Sequence, residues 1–118
     1  MSITLSTKVY NQDRISPDAI VYNGPAHTFT NKDVVEYKRV NPKATKDFRG
    51  VSRPQIKISR TCTLDDASKK EAILTISGSL PVGMTNSDVM ALVADAVDAM
   101  QLEESSGTAL FLKNDITY

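Results

Sequence analysis

Two neighbouring stretches, Gln55 to Leu64 and Glu71 to Leu80, each alternate apolar and polar residues, and Asp65-Asp66-Ala67-Ser68-Lys69-Lys70 between them is a polar turn. Side chains on a strand change face at every residue, so Ile56, Ile58, Cys62 and Leu64 share one face and Lys57, Ser59, Thr61 and Thr63 the other. Ala72, Leu74, Ile76 and Leu80 alternate in the same way with Ile73, Thr75, Ser77 and Ser79. The pair therefore predicts an antiparallel hairpin with one apolar and one hydroxyl-rich side. Arg60 interrupts the apolar side. Gly78 marks a bulge or a close backbone approach, because a glycine inside a strand weakens pairing.

The rest of the chain extends this hairpin into a sheet. Ile3, Leu5, Thr7 and Val9 alternate with Thr4, Ser6, Lys8 and Tyr10, which predicts one strand. Asn11 to Asp18 reads as a loop that turns the chain back, Ala19 to Tyr22 as a short strand ended by Asn23-Gly24-Pro25, and His27 to Thr30 as a weak strand. Val34 to Val40 is a strand stopped by Asn41-Pro42. Pro42 to Pro54 has no hydrophobic period and carries Lys43, Lys46, Arg49 and Arg53, so it is expected as an exposed basic loop.

After Pro81-Val82-Gly83 the period changes. Thr85 or Asn86 can cap a helix, Asp88 suits its positive end, and Val89, Leu92, Val93, Ala96, Val97 and Met100 form an apolar stripe on one face. Glu103 and Glu104 are expected on a solvated helix end, and Ala109 to Leu112, with Ile116 and Tyr118 beyond, fits helix or strand equally. Strands first and helix last predict an α+β fold: an N-terminal β-hairpin, an antiparallel sheet and a C-terminal helical segment, in one domain over residues 1–118.

Charge is sorted along the chain although it cancels overall. Residues 32 to 60 hold nine of the fourteen Lys and Arg against three acids, and from Thr61 onward three bases face nine acids. Such separation can give one surface that attracts a polyanion, or ordinary solvated strands and loops. Arg39 and Arg60 either join that surface or pair with Glu36 or Glu71.

Little supports catalysis. The lone His27 lies in a turn-rich segment, Cys62 is expected as a small buried hydrophobe, and neither GxGxxG nor GxxxxGK[ST] occurs, so no enzyme activity, metal or cofactor is expected. Met1 to Gln12 does not read as a targeting signal, and no stretch approaches the roughly 20 apolar residues of a membrane span. The polar side of the central hairpin can hydrogen-bond phosphates, sugars and base edges, as can any solvated sheet face.

The string Met84-Thr85-Asn86-Ser87-Asp88, entered from the strand with Leu74, Ile76 and Leu80 and followed by the helix ending Ala99-Met100-Gln101, resembles the coat proteins of single-stranded RNA bacteriophages, the levivirus type. The resemblance implies an interlocked homodimer with a continuous sheet, an icosahedral shell built from dimers in the bacterial host cytoplasm, and a virion as the final location. It implies a single-stranded RNA genome as partner on the polar sheet face, and in many members an RNA stem-loop whose binding represses translation. By position the RNA-facing candidates are Lys38, Lys57, Ser59, Thr61, Ile73, Thr75 and Ser77. Phosphate contacts by Lys38, Arg39, Lys57 and the basic loop need only charge. Ile73 departs from the family, which places a base-stacking aromatic there. The rival expectation is a homodimeric α+β binding module of the bacterial cytoplasm that never assembles.

Overall fold

A computed structural model describes residues 2–47, 49–105 and 110–112. Among them the chain forms β1 (Ser2–Leu5), β2 (Lys8–Ser16), β3 (Ala19–Asn23), β4 (Asp33–Val40), β5 (Val51–Thr63), β6 (Lys69–Ser77), β7 (Leu80–Pro81) and α1 (Asn86–Ser105). The strands make one antiparallel sheet in the order β1-β2-β3-β4-β5-β6, with β7 also pairing with β5. From β1 to β6 every neighbour in space is a neighbour in sequence, because short turns leave antiparallel pairing as the easy closure. The α+β expectation holds. The chain divides into two compact units, one up to Val82 with the sheet and one from Gly83 with the helix.

Strand boundaries differ from the expected ones in five places. The first strand is broken at Ser6-Thr7, both with positive φ (49° and 67°), giving a tight two-residue hairpin without the usual Asn-Gly signal. The expected loop Asn11 to Asp18 is mostly β2, whose only buried residue is Tyr10. A strand hydrogen-bonded on both sides needs no apolar alternation to persist, and hydrophobic period could not reveal it. His27 to Thr30 is a loop, tied by Thr28 N–H to Asn31 O (2.8 Å) and Asn31 N–H to Thr28 Oγ1 (3.0 Å).

The basic loop is shorter than expected, since β5 starts at Val51 and runs through Pro54. Proline is tolerated there because the facing strand is interrupted: β6 ends at Ser77, β7 starts at Leu80, and Gly78 N–H donates to Pro54 O at 3.0 Å. Gly78 thus marks the break between two strands where one was expected.

The sheet's core face buries Tyr10, Tyr22 and Val35, packed against Ile3, Leu5, Ile20, Tyr37, Ile56 and Ile58. The rings of Tyr22 and Tyr37 meet edge to face at 5.8 Å, the arrangement their quadrupoles favour. A polar pin sits beside this cluster. Asp33, 2% exposed, accepts from Tyr10 Oη at 3.2 Å and from Ala26 N–H at 3.4 Å, and Arg60 Nε lies 3.6 Å away. Arg60 also donates to Tyr10 Oη at 3.1 Å, and that bond, with the Asp33 charge behind it, raises the guanidinium pKa above its ordinary value. Gly24 is required beside the pin: a Cβ there would lie 2.6 Å from the Tyr10 ring and collide with the Asp33 carboxylate.

The pin explains the arginine in the apolar strand face, but its partner is Asp33. Arg39 pairs with Asp18 (3.3 Å) and Glu71 with Lys32 (3.2 Å), so neither expected pairing with Glu36 or Glu71 forms. Cys62 is half-buried, with Sγ 3.9 Å from Arg60 O, because its strand lies near the sheet edge.

In the second unit, Thr85 Oγ1 accepts from Asp88 N–H at 3.2 Å, so Thr85 caps the helix as its sequence indicates. Glu103 is 4% exposed rather than solvated, because its carboxylate accepts from the Leu110 and Phe111 N–H groups, both at 3.0 Å. Leu110 to Leu112 form a turn, while Ala109, Ile116 and Tyr118 lie outside the described residues. Along the helix Leu92, Val93 and Val97 are each half or more exposed, as is Met90.

Candidate nucleic-acid interface

Residues directly opposite one another in a ladder point to the same side of the sheet, so the registers assign each candidate a face. Lys38 opposes Gln55, which opposes Ser77; Glu36 opposes Lys57, which opposes Thr75; Val34 opposes Ser59, which opposes Ile73; and Thr61 opposes Glu71. All seven candidates, Lys38, Lys57, Ser59, Thr61, Ile73, Thr75 and Ser77, therefore share one side of β4, β5 and β6. The buried Val35 and its neighbours Tyr22 and Ile58 occupy the other. Arg53, opposite Val40, is on the candidates' side. Arg39 alternates to the core side and is held by Asp18 and the Pro17 carbonyl, which removes it from the expected set of phosphate contacts.

The seven are not equally available. Lys38, Ile73, Thr75 and Ser77 are exposed, Lys57 and Thr61 are half-buried, and Ser59 is 3% exposed. Thr61 Oγ1 already accepts the Lys32 N–H at 2.8 Å, anchoring the end of the β3–β4 loop. Ile73 is 53% exposed and offers an aliphatic surface without a ring. Lys43, Lys46 and Arg49 are exposed in the β4–β5 loop, which closes so tightly that a Cβ on Gly50 (φ +95°) would lie 2.7 Å from Lys43 O.

A feature that the sequence did not single out lies on the same side. The register shift between Gln12 and Arg14 bulges β2, and the β3–β4 loop rises beside it, leaving an open depression of about 290 Å³. Val21 and Val34 contribute apolar lining, Ser59 and Asn23 polar groups, and Arg14, Lys32, Lys57, Asp13, Glu36 and His27 ionisable ones. His27 Nδ1 accepts the Asp33 N–H at 3.4 Å. The alternation of Val34 to Val40 places Glu36 with Lys38, which was the available signal. Among the described residues no cluster of three or more His, Cys, Asp or Glu could hold a metal ion, and no helix is long and apolar enough to cross a membrane.

No family model matches the sequence, and no curated protein matches it either. Solved structures do match. A chain of the virus-like particle of Beihai levi-like virus 32 aligns with TM-score 0.83 and 18% identity, over 96% of this chain and 91% of that one. A chain of the virus-like particle of Wenzhou levi-like virus 4 aligns with TM-score 0.80 and 25% identity, over 97% and 81%. The virus-like particle of bacteriophage GQ-907 follows with TM-score 0.72 and 12% identity, over 99% and 90%. The levivirus-type coat fold that the sequence resembles is the fold of this chain, and its neighbours point to a structural rather than an enzymatic role.

Proposed function

We infer that this chain is a levivirus-type coat subunit: copies pair into homodimers, the dimers close into an icosahedral shell, and the shell packages single-stranded RNA. The observation that carries the coat assignment is the likeness, at 25% identity across nearly the whole chain, to a component of a virus-like particle. In this reading residues 1–118 act as one coat domain, the subunits assemble in the host cytoplasm, and the virion is where the protein ends. Packaging is supported by the shared face of the seven candidates, which joins Lys38 and Lys57 to hydroxyls able to bond phosphate and sugar oxygens. Exposed bases adjoining Ile73 meet an aliphatic side chain, so a repressed stem-loop would be held without aromatic stacking from that strand.

Expression of the full chain in a bacterium tests the assignment. Particles in electron micrographs, with nuclease-protected RNA inside, are the expected result. A small dimer free of nucleic acid, with no particles in any buffer, would instead establish the non-assembling binding module.

A further inference from the structure

The depression on the candidates' side places two carboxylates, Asp13 and Glu36, among the basic groups of the face proposed to meet RNA. Glu36 and Lys57 are direct cross-strand partners, which brings their Cβ atoms to about 5 Å, and both line the depression. Among the described residues Glu36 makes no ion pair, the three bridges being Lys32 with Glu71, Arg39 with Asp18 and Arg60 with Asp33. A carboxylate repels phosphate, so its presence costs affinity for any RNA backbone. It contributes where a ligand brings N–H donors.

We propose that this depression reads a single guanine of single-stranded RNA, Glu36 accepting from its N1–H and N2–H groups and Lys57 donating to its O6. The inference rests on the RNA-packaging function above and names the base that one part of that face selects. Guanine alone among the four bases offers two parallel donors to one carboxylate with a carbonyl oxygen alongside. Cytosine brings one amino group next to acceptors, adenine one amino group next to a ring acceptor, and uracil a single N–H between carbonyls. The apolar lining of Val21 and Val34 suits the face of a planar ring, and Asn23 adds a polar side chain to the same depression. At about 290 Å³ the depression is at the lower end of the ~300–1,000 Å³ typical of small-molecule sites, the scale of one base rather than several. An unpaired base in a loop presents the required edge, whereas a duplex hides it.

Full-length protein titrated with short oligouridylates carrying one central guanosine, inosine, adenosine or cytidine tests this at fixed salt. Guanosine is expected to bind about tenfold more tightly than adenosine or cytidine, within the discrimination of a good bidentate base contact. Inosine, which lacks the N2 amino group, should lose most of that advantage without any change to the protein. Glu36→Gln should abolish the guanosine preference while tightening the all-uridine complex, since it removes a negative charge. Oligouridylate binding with no guanosine preference, or a preference that survives Glu36→Gln, overturns the guanine pocket and leaves RNA packaging standing. Failure of every oligonucleotide to bind overturns both.

Discussion

Asp33 carries the largest expected cost of any single polar side chain in the sheet unit. Its carboxylate is almost fully buried and holds Tyr10 from the N-terminal hairpin and Arg60 from the central strand. Removing it leaves a hydroxyl and a guanidinium without their acceptor, so Asp33→Ala should cost about 3 kcal/mol in a denaturant titration. Arg60→Ala should destabilise as well, because it removes the cation beside a carboxylate that is only 2% exposed. Thr7 and Ala67 sit at φ of 67° and 69°, a region that side chains with a Cβ enter at a penalty. Thr7→Gly and Ala67→Gly should each stabilise the chain by roughly 0.5–1 kcal/mol, a gain visible as a raised denaturation midpoint. Asp66 accepts from the Ser68 hydroxyl at 2.6 Å and from its N–H at 3.0 Å, and these bonds lower its pKa below the ordinary aspartate value. A lowered folded-state pKa stabilises above the unfolded value and the contribution is lost as pH falls through the folded one. Wild type and Ser68→Ala should therefore differ in melting temperature at neutral pH, and the difference should shrink as pH falls below the ordinary aspartate value and through the lowered folded-state one.

At the scale of elements, legibility followed burial. The hairpin of β5 and β6 was plain in the sequence, since Ile56, Ile58, Leu74 and Ile76 alternate with polar residues along it. The helix start was legible for a different reason: Thr85 and Asp88 are the residue types that satisfy free N–H groups and the positive helix end. Replacing Thr85 by Ala should cost about 1 kcal/mol of helix stability, read as reduced helical circular dichroism on heating. What could not be read were elements held mainly by ladder bonds, above all β2 from Asn11 to Ser16, where every residue is exposed. The Ser6-Thr7 turn was hidden because two residues out of eight alternating ones leave the hydrophobic period almost unchanged. The face of Lys57, Thr75 and Ser77 followed from alternation alone, Lys38 was placed with them by the resemblance, and the registers put all four on one side. The depression did not, since it depends on a bulge near Asp13 and on loop residues distant in sequence.

At the scale of the whole molecule, the sorted charge of the sequence has a partial counterpart in space. Lys38, Lys57 and Arg53 share one side of the sheet, while Arg39 and Arg60 turn to the other and are neutralised there. Of the five strand cations in the basic segment, then, three lie on the proposed RNA side. Lys38→Ala should weaken RNA binding and reduce the salt-dependence slope by about 0.7, at ~0.7 per single-strand phosphate contact. An unchanged slope would move Lys38 off the RNA backbone. The helix adds a second constraint. With Met90, Leu92, Val93 and Val97 open to water, a solitary copy keeps unfavourable hydration that another molecule could relieve. Thermal stability ought then to climb with protein concentration, by mass action, instead of being a constant of the chain. Under the proposed coat function, a newly made polypeptide would be most vulnerable to proteases early in an infection, while its fellows are scarce, and each further round of translation would protect those already present.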